Sequence, residues 1–450
     1  YSHSASAVNL DWRGGYRFEW NQVANPSLTT PGDSKGYGLN YLYLEPKILA
    51  SDGVDVVARF DVLSTDSDAY KGSQAGMLWG MNTLPNTSDN ARTYKDNEGV
   101  QSFRILSQLY LNINNEYNAI VIGRAPFHFG LGMSYSAGNG AFDHWSTTKD
   151  MIAYKMIKDE WSFTPIIAKA NKTDYSSANS LTDFGLLLDY RAGDQKSALS
   201  VYKETRNGSQ ASISGPIPSM GSARSIGTNV ELERTSFYFM RDLDWMKFSL
   251  EGGFQSGQTG YVDSLNSPVR WNGWGIATEF LFPKLSDKTS LVFRSGLATG
   301  DDPQTGDYEG FFFNRNYNLG ALLFNHRLGK LDLLGTRPFK STALNIGETI
   351  DDEYLSNAFY ISPKLTHYYS DRIEMQYTAV WAQLATNSTN SASFSKDLGI
   401  EFDVDVVYKP TDRLRWINEL SVLFPGVAFG NNGDSYSTIY GLSSRAAVSF

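Results

Sequence analysis

Tyr440-Gly441-Leu442-Ser443-Ser444-Arg445-Ala446-Ala447-Val448-Ser449-Phe450 is the stretch whose reading decides the fold. Side chains alternate across a strand. Tyr440, Leu442, Ser444, Ala446, Val448 and Phe450 then share a mostly apolar face, and Ser443, Arg445, Ala447 and Ser449 share a small or polar face that carries a charge. A soluble domain rarely stops in mid-strand at an aromatic. The pattern implies a sheet whose last strand closes against its first.

The composition agrees. The chain has 450 residues, the length of about three ordinary domains. No Pro-rich linker, Gly/Ser tract or shift of composition divides it, so residues 1–450 read as a single domain. Aromatics make up 14% and charged residues only 19%, with 40 Gly. Mean hydropathy is -0.34, and no apolar run reaches the about 18 residues of a membrane helix. Low hydropathy with many aromatics suits strands that show lipid one face only. There is no Cys, hence no thiolate metal site or nucleophile. A net charge of -9 argues against nucleic acid as a partner. No signal peptide precedes Tyr1, so an exported protein would stand here in its mature form.

Long alternating segments are joined by unequal connections. Eight are short and polar, at 51–53, 114–116, 158–160, 193–195, 242–244, 286–288, 370–372 and 411–413. Asp, Asn and Gly form tight hairpins because they bond locally or tolerate left-handed backbone. The longest intervening loops fall near 66–99, 131–149, 207–226 and 303–357. Short turns at one end and long loops at the other mark an outer-membrane barrel. The count gives an all-β, transmembrane, antiparallel up-and-down β-barrel of about 18 strands, each long enough to cross a bilayer at a tilt.

Alternation places Val54, Val56, Ala58, Phe60 and Val62 opposite Asp55, Arg59 and Asp61; Phe103, Ile105, Leu109, Leu111 and Ile113 opposite Arg104, Gln108, Tyr110 and Asn112; and Leu398, Ile400, Phe402, Val404 and Val406 opposite Glu401, Asp403, Asp405 and Lys409. The charged face is expected to line the lumen. No single phase holds around Arg234 or along 162–169, which suggests β-bulges there. Trp12, Trp20, Trp245, Trp271 and Trp274 fall near strand ends, where interfacial girdles sit.

Catalytic signals are weak. The five His (His3, His128, His144, His326, His367) form no metal-ligand pair, and His144 reads as an ordinary loop residue. The acidic stretch 299–307 lacks the spacing of a calcium loop and reads as a solvated turn. No cofactor, metal or enzymatic activity is implied. The informative pattern is charge on the lumenal phase. Arg13, Arg17, Arg59, Arg104, Arg124 and Arg294, with Asp55, Asp61, Glu251, Glu401, Asp403 and Asp405, are the expected pore-lining residues that set which solutes pass. The long loop 303–357 carries Phe311, Phe312, Phe313 and Arg315, then Leu319 and Leu322–Phe324. So much apolar surface should not stand in water. Folding inward would bury it and makes it a candidate pore constriction. An extracellular cap packed on loop 66–99 with Trp79, or docking on a partner, would bury it as well, and an extra hairpin within 317–335 would raise the count to 20.

Three strings carry a resemblance. Gly123-Arg124-Ala125-Pro126-Phe127-His128-Phe129-Gly130-Leu131-Gly132 and Ala298-Thr299-Gly300-Asp301-Asp302-Pro303 resemble strand ends of barrels related to the alginate-export porin. That resemblance implies 18 strands and an Arg-lined conduit for an acidic polysaccharide. The acidic strand at 398–409 departs from it and favours a more general pore. The tail ending in Phe450 resembles the signal read by barrel-assembly machinery.

The expected protein is therefore a Gram-negative outer-membrane porin passing ions and small polar solutes. The alternatives are a substrate-selective channel for oligosaccharide or anionic polysaccharide, and a plugged structural or adhesive barrel. Expected partners are outer-membrane lipid, lipopolysaccharide, the assembly machinery and small solutes, and a homo-trimer is compatible with this reading.

Overall fold

The computed structural model describes residues 9–28, 34–64, 105–170, 181–209, 225–226, 229–262, 267–302, 304–329, 331–335, 353–387, 394–430 and 436–450. The strands are β1 (Asn9–Ala24), β2 (Ser34–Ser51), β3 (Val54–Ser64), β4 (Ile105–Asn114), β5 (Asn118–Pro126), β6 (Thr148–Lys158), β7 (Trp161–Ala170), β8 (Leu181–Arg191) and β9 (Ser197–Ser209). There follow β10 (Ser225–Ile226), β11 (Asn229–Asp242), β12 (Lys247–Val262), β13 (Pro268–Ser286), β14 (Thr289–Ala298), β15 (Ala358–Tyr368), β16 (Ile373–Leu384), β17 (Asp397–Thr411), β18 (Leu414–Pro425) and β19 (Ile439–Ser449). The two-residue β10 pairs with β12 ahead of β11, so the wall has eighteen positions. All neighbours are antiparallel, and β1 pairs with both β2 and β19. Gly14 N–H donates to Phe450 O at 2.9 Å and Phe450 N–H to Gly14 O at 3.0 Å. The cylinder is closed.

All eight expected tight turns join consecutive strands at one end. Asp159, Gln195 and Asp244 supply left-handed backbone there, and Gly53 does so at φ 74°. A Cβ on Gly53 would lie 2.2 Å from Asn114 O, which leaves room for glycine alone.

The outer face follows the expected period. Leu10, Phe18, Phe60, Ile152, Ile167, Phe184, Phe254, Phe402 and Leu442 are exposed around the cylinder, as lipid contact requires. Trp12, Trp20, Trp245 and Trp274 stand outside as expected. Trp271 does not. It is buried inside, donating its indole N–H to Gly310 O at 2.8 Å.

Two expected irregularities are absent. β7 and β11 keep one phase throughout, with Ser162, Thr164, Ile166 and Ala168, and Leu232, Arg234 and Ser236, all buried inside. Their inner faces look phaseless in sequence because apolar residues point inward against lumenal loops. A real bulge lies elsewhere. Arg59 pairs with Gln108 and Phe60 with Leu106, so Ser107 is the extra residue and Leu106 joins the outer face.

The interior is largely filled. Loop 127–147 after β5 and the described residues of loop 299–357 after β14 turn into the barrel and bury Met133, Tyr135, Trp145, Phe311–Phe313, Leu322, Phe324 and Leu355. Each such side chain contributes about 1.5–3 kcal/mol on burial. No strand forms among the described residues of 317–335, so the twenty-strand alternative falls.

Candidate functional site: lumenal loops, basic vestibule and neck

Two wall carboxylates hold the loops by their backbones. Glu251 on β12, fully buried, accepts N–H groups from Leu131 (2.7 Å), Met133 (3.1 Å) and Ser134 (2.8 Å). Glu401 on β17 accepts from Leu322 (2.7 Å) and Leu323 (2.6 Å). Charge-assisted bonds of this kind are strong. Gly130, at φ 55°, lets the chain pass close to Glu251; a Cβ there would lie 2.8 Å from its Oε2.

The loops also grip each other. Asn314 N–H donates to Met133 O at 2.6 Å, and Asn316 Nδ2 to Trp145 O at 2.6 Å. The Arg315 guanidinium lies 3.8 Å from the Trp145 ring centroid and 4.0 Å from that of Tyr354, and donates to the Tyr354 hydroxyl. Tyr135 bonds Glu204, which pairs with Lys149. Burial, then the Glu204 charge, pushes the Tyr135 hydroxyl well above its ordinary range, so it stays a donor.

At the short-turn end the lumen opens into a cavity of about 1070 Å³. Its lining includes Arg13, Arg17, Arg59, Arg372, Lys409, Arg413 and Arg415 against Glu45, Asp143, Asp371 and Asp412. Cations outnumber carboxylates. Arg59 is fixed by the Tyr41 hydroxyl (2.6 Å), by Asp61 (3.5 Å) and by the Tyr43 ring (4.3 Å to its centroid).

The loop segment 138–144 roofs this vestibule and narrows the bore. Arg17 Nη1 donates to Asp143 O at 2.7 Å, and Arg17 Nε lies 2.6 Å from Glu19 Oε1. His144 Nε2 reaches the same Glu19 oxygen at 2.6 Å. Arg445 pairs with Glu419 at 2.8 Å and lies 5.3 Å from the Phe142 ring centroid. Beyond this neck a crevice of about 40 Å³ continues, lined by Glu19, His144, Asn325, His326, Ser421 and Arg445.

The expected pore residues therefore divide. Arg13, Arg17 and Arg59 converge on the vestibule. Asp55 and Asp61 lie on the same inner wall, buried beside Lys47 and Arg59. Arg294 pairs with Glu279 at 3.2 Å and donates to Asn318 O at 3.3 Å, a loop contact. Glu251 and Glu401 are loop caps, and Asp403 and Asp405 are buried along β17 beyond Glu401. Phe311, Phe312 and Phe313 are packed core, not a water-facing ring. Arg124 is a correction. It shares the outward phase of exposed Ile122 and forms a two-pronged pair with Asp150 at 2.6 and 2.7 Å, on the outer face. The expectation erred because alternation gives two faces, and a charged residue at the rim can take the outer one. Arg104 and the loop at 66–99 lie outside the described residues. His144, read as an ordinary loop residue, stands at the neck. Nothing local in its sequence signals that, because its partner Glu19 is 125 residues away.

The family model described as alginate export matches residues 58–442. No protein of curated function matches the sequence. Among solved structures, the barrel is similar to a BenF-like porin of Pseudomonas fluorescens, at 8% identity and a TM-score of 0.53, with 98% of each chain covered. It is similar also to OccK8 (OprE) and OccK2 (OpdF) of Pseudomonas aeruginosa, each at 9% identity and a TM-score of 0.52, again with 98% of each chain covered. At such identities the likeness is one of fold. The closed eighteen-strand wall and the match along most of the sequence agree: the chain belongs to the alginate export family of outer-membrane barrels.

Proposed function

We propose that solutes follow the β18–β19–β1 wall, from the basic vestibule past the Arg17–Glu19–His144 neck and along the crevice at Asn325 and His326. The protein is a porin of the Gram-negative outer membrane, and passive diffusion of ions and small polar solutes is its function. The tight turns, and with them the vestibule, face the periplasm. In this reading the whole chain acts as one barrel domain, and loops 127–147 and 303–357 together form the constriction. No catalytic group is required.

The observation that carries the selectivity is the convergence of Arg13, Arg17 and Arg59 with Arg372, Lys409, Arg413 and Arg415 on one cavity. A low-dielectric vestibule of one sign concentrates counter-ions. It supports preference for small anions, including carboxylates. A crevice of about 40 Å³ supports small solutes rather than a bulky acidic polysaccharide. We read the finer partners as assembly machinery engaging β19 at Phe450, lipopolysaccharide at the outer rim, and further copies in a homo-trimer. Native mass in detergent tests the last.

Planar-bilayer recording in a salt gradient tests the pore. The wild-type reversal potential should favour anions, and Arg13→Glu with Arg59→Glu should move it toward cations. An unchanged reversal potential would remove the vestibule from selectivity, and no conductance at all would end the pore reading.

A further inference from the structure

Arg234 lies mid-strand on the inner face of β11 and is 1% exposed. None of its three guanidinium nitrogens has a hydrogen-bond partner among the described residues. Instead it is covered by two rings, one from each lumenal loop. The Tyr135 centroid lies 5.0 Å away and the Phe311 centroid 4.9 Å. By register Arg234 stands between Glu204 on β9 and Gln255 on β12. Glu204 is bonded to Lys149, Tyr135 and Tyr202. Gln255 gives its amide to Gly310 O at 3.0 Å.

Seating the loops thus takes water from a permanent cation and returns no hydrogen bond. Two cation–π contacts give back less than such desolvation costs. The surrounding contacts pull the other way: Glu251 binds loop 127–147, and Trp271 and Gln255 bind loop 299–357 at Gly310. Arg234 therefore opposes the loops that its neighbours attract. We propose that Arg234 is a positioning residue that keeps the lumenal loops displaceable: seated, they narrow the bore; displaced, they let the guanidinium hydrate in it. This inference rests on the porin reading for its current-based test.

The substitution Arg234→Met removes the buried charge and keeps much of the volume, so it should tighten the seat. A guanidinium acting as glue would predict the reverse. Single-channel recordings of wild type, Arg234→Met and Arg234→Lys are compared, with protease cleavage of loop 127–147 and urea unfolding in detergent as further readouts. Arg234→Met should lower the ratio of open to closed dwell time about tenfold, slow cleavage and raise the urea midpoint. Arg234→Lys, which keeps the charge, should stay near wild type. More open time, faster cleavage or failed barrel assembly in Arg234→Met would overturn the proposal, as would unchanged dwell times. A wild-type barrel without current would sink the porin reading instead, and cleavage and unfolding would still decide the role of Arg234.

Discussion

Removing the Glu251 carboxylate should release loop 127–147 from the wall. In Glu251→Ala the N–H groups of Leu131, Met133 and Ser134, now 2.7–3.1 Å from its oxygens, lose their acceptor together. A bond to a charged group contributes about 1.5–3 kcal/mol net, and an orphaned buried donor costs a comparable amount. Three at full value would give about 5–9 kcal/mol. Bonds that share one carboxylate are not additive, and the bore admits water once the loop lifts. About 3–5 kcal/mol is the expected loss of loop docking. That is large enough to invert a closed-to-open ratio. Glu251→Gln keeps one acceptor oxygen and loses the charge, so it should fall between. The assay is single-channel conductance with urea unfolding on the same preparations. Conductance and open time should rise in the order wild type, Gln, Ala. If all three proteins carry the same current and unfold at the same urea concentration, Glu251 does not hold the loop and the plug is fixed by packing alone.

Arg17→Ala cuts the tie to Asp143 O and leaves His144–Glu19 as the remaining hold at the neck, so the 138–144 segment should loosen. Conductance should rise and anion preference fall, read as a reversal potential in a salt gradient; no change in either would place the narrowest point elsewhere. Arg315→Lys replaces a flat cation held between Trp145 and Tyr354 by a point charge. It should weaken the contact between loops by about 1–2 kcal/mol and increase current noise; a quiet channel would show that the loops move independently. Arg124→Ala should leave ion selectivity unchanged because the side chain faces outward. With the pair 34% and 42% exposed, its loss should cost no more than about 1 kcal/mol in urea unfolding.

Much of this architecture was legible because it rests on local rules. Asp159 and Asp244 at left-handed turn positions, and Gly53 against Asn114 O, are choices a hairpin imposes on its own few residues. The period-two pattern then assigns faces. The rule fails where one extra residue enters, as at Ser107, and at the rim, where Arg124 finds Asp150 across the neighbouring strand and a charge can face outward. The site was less legible. His144 meets Glu19, Glu251 meets Ser134 and Glu401 meets Leu322 across large sequence separations, and no local spacing encodes those meetings.

The inner face nevertheless carries a readable division. A water-filled barrel needs a polar inner phase on every strand. Here β7 offers Ile166 and Ala168, β11 offers Val230 and Leu232, and β13 offers Val269, Trp271 and Ala277, all buried inside. Apolar inner residues would be unfavourable against a wet lumen, so these strands mark the wall on which the loops dock. On β1 and β3 the inner phase holds Arg13, Arg17, Glu19, Arg59 and Asp61 instead, and there the cavities lie or begin. The runs that first look like broken alternation are therefore informative. An inner phase that turns apolar, as on β7, β11 and β13, marks wall on which the loops dock, whereas an inner charge can serve either the path, as Arg13 and Arg59 do, or the loops, as Glu251 and Glu401 do.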